Sequence, residues 1–140
     1  MIPLMLDTSA YAAFKLGDST VLEAIRKSPK ILIPLIVFGE LLAGFEAGSR
    51  REQNRQELTA FLRSPRVRLV PVIADTAERY ALIYAYLRQK GRPIPTNDLW
   101  IAASAMEHSA ELLTADGHFL YVPQIITRSV RMTPAPNPPR

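Results

Sequence analysis

The sequence predicts a three-layer α/β/α sandwich built on a mostly parallel five-stranded sheet. Short apolar runs alternate with longer stretches of helical periodicity along the chain, the pattern of strand–helix–strand crossovers. Those runs are apolar at consecutive positions, as in Leu4-Met5-Leu6 and Ile31-Leu32-Ile33, so the strands they form are covered on both faces. A length of 140 residues, 48% hydrophobic and 21% charged, suits one compact domain and is too short for two.

Residues 2–6 form the first strand and end at Asp7, with Thr8 and Ser9 in the turn that follows. Helices are expected over 10–16 and 18–28, separated by Gly17, with Asp18 capping the second. The second strand is 31–33, and Pro34 takes the favoured first position of a helix running to about Ala47, where Gly48 and Ser49 end it. A polar helix over 50–63 has few apolar residues and is expected outside the core. Strand three spans 67–72, with Pro71 tolerable at a strand end or edge. Apolar residues at 77, 80, 81, 84 and 87 stripe a helix over 76–90 that Gly91 ends. Thr96 is a candidate cap for a helix to about His108 with Leu99, Ala102, Ala103 and Met106 on one side. Strands over 112–114 and 124–127 complete the sheet. The domain therefore covers 1–132, and the Pro-rich segment 133–140 is expected to be a flexible tail.

Composition narrows the chemistry. There is no cysteine and there are only two histidines, so disulfides, thiolate zinc sites and cysteine nucleophiles are excluded. Any metal must be held mainly by oxygen. No apolar run reaches the roughly 18–20 residues of a membrane span, and the opening Met1–Asp7 lacks the basic lead of a signal peptide. The formal charge of +4 says little about partners, but Arg50, Arg51 and Arg55 crowd one stretch, alternatively a solvated helix face paired with Glu52 and Glu57.

Four acids stand within apolar surroundings. Asp7 and Asp116 follow the first and fourth strands. Glu40 lies in the second turn of the helix leaving the second strand, and Asp98 in the first turn of the helix that leads to the fourth. All four belong to the carboxyl edge of the sheet, where open parallel sheets form their ligand crevices. Each has a plainer role available: an Asx turn or cap for Asp7, a dipole partner for Asp98, a cap of the turn 117–120 for Asp116. Glu40, among Leu35, Ile36, Val37, Phe38, Leu41 and Leu42, has no local cation to offset its desolvation. Four carboxylates gathered at one place repel one another unless a cation neutralises them, and oxygen ligation points to Mg²⁺ or Mn²⁺. Such a site suits phosphodiester hydrolysis.

Leu6-Asp7-Thr8-Ser9, Gly39-Glu40-Leu41, Thr96-Asn97-Asp98-Leu99-Trp100-Ile101-Ala102-Ala103 and Leu113-Thr114-Ala115-Asp116-Gly117-His118-Phe119 stand in an order that resembles a PIN domain, most closely the VapC-like toxin ribonucleases of type II toxin–antitoxin pairs. The likeness runs from about Ile2 to Thr127. It implies a five-stranded parallel sheet between helices, with Asp7, Glu40, Asp98 and Asp116 as a catalytic metal site. Thr8 or Ser9 would order the first acid or a water. Read from their own positions, Thr114 shapes the strand end beside Asp116, and Asn97 positions Asp98 or a water, or alternatively hydrogen-bonds locally at the helix start. The likeness further implies Mg²⁺- or Mn²⁺-dependent endonucleolytic cleavage of RNA, usually tRNA or rRNA, arrest of translation, a cognate antitoxin, a homodimer and a cytoplasmic location. One departure stands out: some PIN nucleases carry a further acid just past the fourth, where this chain has Gly117 and His118. RNA approaching the acids needs cations, for which Arg50, Arg51, Arg55 and Arg92 are the candidates, and His118 is a candidate to bind phosphate or protonate the leaving group. His118 has the alternative of hydrogen bonding at its turn, and Trp100 that of packing rather than stacking on a base. Rival readings are a catalytically silent RNA- or antitoxin-binding module and a housekeeping RNA-processing nuclease of the same fold. A haloacid-dehalogenase-type phosphatase would need an acid where Ser9 stands.

Overall fold

A computed structural model describes residues 1–130 of the chain. The tail expected over 133–140 lies outside the described residues. In chain order the elements are β1 (Leu4–Leu6), α1 (Thr8–Lys15), α2 (Ser19–Lys27), β2 (Ile31–Pro34), α3 (Leu35–Ala47), α4 (Arg51–Leu62), β3 (Val67–Val70), α5 (Ala74–Gln89), α6 (Thr96–Glu107), β4 (Glu111–Thr114), a 3₁₀ turn (Gly117–Tyr121) and β5 (Ile126–Ser129).

The five strands pair in the order β3-β2-β1-β4-β5, and every pairing is parallel. The chain winds outward from β1 through β2 to β3, then crosses back to place β4 on the other side of β1. The winding reverses between β1 and β4, the point at which such sheets bind ligands. Register there aligns Leu6 with Leu113, and Asp7, the first residue past β1, comes beside Thr114, the last residue of β4. β1, β2 and the Leu112–Thr114 part of β4 are buried at successive residues, so helices cover both faces. The core gathers Met5, Leu6, Leu32, Ile33, Leu112 and Leu113 of these strands with Ile83, Leu87, Ile101 and Phe119. Each buried side chain of this size contributes about 1.5–3 kcal/mol.

Several boundaries differ from the sequence expectation, each for a local reason. α1 begins at Thr8 rather than residue 10, because Asp7 is its N-cap and accepts the Ala10 N–H at 2.8 Å. Asp18 caps α2 through the Val21 N–H at 3.0 Å, as its side-chain chemistry predicts. Pro34 closes β2 and precedes the helix instead of opening it. Pro71 lies just outside β3, which is an edge strand. Gly91, at φ +67°, ends α5 in a conformation that a side chain would strain.

Four expectations are corrected. α4 is polar but not detached from the core: Leu58 is buried, and its neighbour Phe61 packs with Tyr11 and Phe14 at centroid distances of 5.6 and 5.3 Å. The buried stripe of α5 is Thr76, half-buried Tyr80, Ile83 and Leu87, whereas Ala77, Ala81 and Tyr84 face outward. Counting alanine and tyrosine as equal to isoleucine rotated the expected stripe, and Thr76 goes inward because its hydroxyl accepts the Ile73 N–H and donates to Glu107 on α6. β5 falls two residues later than expected, since Val122 is buried as the 3₁₀ turn ends. On α6 the first helical residue is Thr96, with no side-chain cap, and burial extends over Ile101–Ala105 rather than one stripe.

Candidate active site

Asp7 is buried at the end of β1 and is held by three donors. Its Oδ1 accepts from Ser9 Oγ at 2.7 Å and from the Ala10 N–H, and its Oδ2 accepts from Thr114 Oγ1 of β4. Thr114 in turn accepts the Asp116 N–H at 2.9 Å, and Ser9 Oγ accepts the Ala115 N–H at 2.9 Å. Two neighbouring strand ends are therefore laced together by two hydroxyls and one carboxylate. Of the roughly four lone pairs of an ionised carboxylate these donors take three, leaving Oδ2 one for a further partner. Burial pushes the Asp7 carboxyl above the usual range despite its donors, and the Asp116 charge adds to the rise.

Asp116 caps the 3₁₀ turn by accepting the His118 N–H at 2.9 Å. That turn brings the His118 ring back over two acids, with Nδ1 lying 3.1 Å from Asp116 Oδ1 and 3.2 Å from Asp98 Oδ2. One ligand atom from each of Asp98, Asp116 and His118 falls within a 4.8 Å span. Asp98 is half-buried in the first turn of α6, and burial, then the Asp116 charge, raise its pKa; hydrogen bonding to His118 opposes this and the Glu40 charge adds to it. Glu40 sits on α3, with Oε1 accepting from Thr8 Oγ1 at 2.8 Å and Oε2 from Asn97 Nδ2 at 3.4 Å.

The structure thus brings the four sequence-predicted acids to one edge: Asp7 and Asp98 each feel the charge of Asp116, and Asp98 that of Glu40. It distributes the supporting residues differently from expectation. Ser9 and Thr114 orient the first acid, while Thr8 serves Glu40. Asn97 reaches Glu40 rather than Asp98. Glu40 is half-buried, not sealed in an apolar helix, because the Gly39 face of α3 is open to solvent and two neutral donors meet its carboxylate. Sequence reasoning missed that His118 touches both Asp98 and Asp116. The only signal was the D-x-H spacing, which a turn of this type folds back on itself.

Of the basic candidates, Arg51 pairs with Glu46 at 3.2 Å and Glu52 at 3.6 Å, and Arg55 approaches Glu46 at 3.9 Å, all on the surface. Arg92 stacks over the Tyr121 ring at 5.0 Å. Among the described residues no hydrogen bond or ion pair ties Arg50, Arg51, Arg55 or Arg92 to the four acids. Trp100 packs against Tyr80 at 4.2 Å.

An all-parallel 3-2-1-4-5 sheet with carboxylates gathered at its reversal point defines a class of protein, and the PIN domain profile matches residues 4–124. The chain belongs to the PIN domain family. Within it, the chain is 35% identical over 127 residues to Ribonuclease VapC2 of Rickettsia felis, covering 87% of this chain and 93% of that protein. It is 28% identical to Ribonuclease VapC5 of Mycobacterium tuberculosis, over 82% and 84% of the two chains. In structure it resembles VapBC2 of Rickettsia felis, solved bound to a promoter DNA fragment, with a TM-score of 0.79 at 30% identity and coverage of 91% and 98%. The DNA-bound VapBC of Salmonella typhimurium shares the fold, with a TM-score of 0.81 at 24% identity over 92% and 98% of the chains.

Proposed function

We propose that the chain is a divalent-metal-dependent endoribonuclease and the toxin of a toxin–antitoxin pair. The observation that carries this is the convergence of Asp98, Asp116 and His118 ligand atoms within 4.8 Å at the edge where Asp7, whose pKa burial raises, also feels the Asp116 charge. Hard oxygen donors with one imidazole and no thiolate suit Mg²⁺ or Mn²⁺. Asp98 and Asp116 would hold the ion, with Asp7 contributing through its remaining lone pair on Oδ2 and Glu40 directly or through water. A bound cation supplies neutralising charge and Lewis acidity toward water and the scissile phosphate. The protein's own contribution is positional: Ser9 and Thr114 aim Asp7 and oppose the rise in its pKa, and Thr8 and Asn97 hold Glu40 over the same edge.

The substrate in this reading is RNA of the translation apparatus, tRNA or rRNA, met in the cytoplasm; among the described residues no helix is long and apolar enough to cross a membrane. Arg50, Arg51, Arg55 and Arg92 supply cations toward its phosphates, and the His118 ring offers a hydrogen-bonding contact to them. A cognate antitoxin is the protein partner, supported by the strongly apolar α3, on which only Val37 and Leu41 are buried while Leu35 is 43% exposed. The toxin acts as a homodimer, as is usual for this family.

The test is cleavage of total RNA by the purified chain with and without Mg²⁺ or Mn²⁺, alongside Asp98→Asn. Discrete cleavage products should require the ion and be absent from the variant. Metal-independent cleavage, or full activity of the variant, would overturn it. Asp98 is the cleaner position for this test, because replacing Asp7 also removes the α1 cap and leaves Ser9 and Thr114 without their acceptor.

A further inference from the structure

A cavity of about 520 Å³ opens between the α5–α6 connection and the 3₁₀ turn that Asp116 caps. It is lined by Tyr86, Lys90, Arg92, Leu120, Tyr121 and Pro123. We propose that it is a subsite for one nucleotide of single-stranded RNA flanking the scissile phosphate, an inference that rests on the nuclease reading above.

Three observations support this. First, the lining pairs cations with aromatic rings twice: the Arg92 guanidinium lies 5.0 Å from the Tyr121 centroid and Lys90 Nζ 5.7 Å from that of Tyr86. A base stacks on an aromatic face or on a guanidinium plane, and the neighbouring cation meets its phosphate. Second, the charge there is uncommitted. None of the six residues is acidic, and among the described residues neither Lys90 nor Arg92 has a carboxylate within ion-pair distance, whereas Arg51 and Arg55 share Glu46. Third, Leu120 is 66% exposed and Tyr121 42% exposed, apolar surface that the core does not explain. Both stand on the turn that Asp116 caps, and five residues of 3₁₀ rise place Tyr121 about 10 Å along the axis from Asp116. Arg92 stands six residues ahead of Asp98 on the other wall. A chain reaching the acids from this side therefore crosses the cavity.

The test measures binding of the intact protein to a 5′-labelled, mixed-sequence single-stranded oligoribonucleotide by fluorescence anisotropy in EDTA, and its cleavage in Mg²⁺. Tyr121→Ala and Arg92→Ala should each weaken binding roughly 5- to 100-fold and raise KM more than they lower kcat. Tyr121→Phe should bind as the parent does, because the ring and not the hydroxyl is used. Lys90→Gln should lower the slope of log affinity against log salt by about 0.7. Alanine variants that bind within twofold of the parent, or a Phe variant as weak as the Ala variant, would overturn the subsite. So would variants that keep RNA affinity and lose an antitoxin instead. A parent protein that neither binds nor cleaves RNA would overturn the nuclease reading itself, which separates the two failures.

Discussion

Thr114→Val tests the physics of the site most sharply, because it changes almost no volume. The Thr114 hydroxyl donates to Asp7 Oδ2 and accepts the Asp116 N–H. Valine keeps the shape of the side chain and removes both bonds. A hydrogen bond to a charged group is worth about 1.5–3 kcal/mol and a neutral one about 1, so the variant should lose about 3 kcal/mol at pH 7, or roughly 1–2 M in urea midpoint. The sign of the pH dependence follows from which form of Asp7 the bond favours. Thr114 lowers the Asp7 pKa, and without it burial raises that pKa further. The larger part of the loss is therefore present where Asp7 is ionised and shrinks as pH falls through its folded-state pKa. At about pH 3.5, below the ordinary carboxyl value of 3.8, the deficit should fall to about 1 kcal/mol. Thr114→Ser keeps the hydroxyl and should lose about 1 kcal/mol at both pH values, from the missing methyl alone. Urea titrations of the three proteins decide it. A Thr114→Val deficit that is equal at both pH values, or no larger than that of Thr114→Ser at pH 7, would refute the reasoning.

Asp98→Asn removes the charge that burial and Asp116 disfavour, so in EDTA at pH 7 the variant should unfold roughly 3–5 °C above the parent, about 1 kcal/mol; a lower midpoint by calorimetry would contradict the repulsion argument. Because the folded-state pKa values of Asp7 and Asp98 are raised, these two acids contribute stability to the metal-free protein that is fully present below about pH 3.8 and is lost as pH rises through their folded-state values. The increase in Tm on adding Mn²⁺ should therefore be largest near neutral pH and vanish toward acid, and an increase that does not vary with pH would count against these acids as the ligands. Leu58→Ala should cost about 2–5 kcal/mol in urea despite lying on a polar helix, since Leu58 is 1% exposed; a cost under 1 kcal/mol would mean that α4 does not share the core.

What the sequence carried was the placement of acids by topology. Asp7 and Asp116 are read directly from the strands that precede them, and a parallel sheet delivers both to one edge. Asp98 and Glu40 follow because the helices that carry them start at that edge. Side-chain partners were less legible, because they depend on rotation and register rather than on order. Nothing local tells Ser9 from Thr8 as the donor to Asp7, since adjacent residues at a helix start differ by about 100° in direction. The same uncertainty of rotation misplaced the inward stripe of α5. The Arg92–Tyr121 stack joins residues 29 positions apart in sequence and has no periodic signature.

The central claim is that the acids share one kind of divalent ion, and titration calorimetry of the metal-free protein with Mn²⁺ at neutral pH addresses it without recourse to any substrate. Uptake by the parent chain should be saturable, and affinity should be at least 10-fold weaker in Asp98→Asn, with circular dichroism unchanged, for the loss of one charged ligand from a shared site. Absence of uptake by the parent, or equal affinity in the variant, would contradict it.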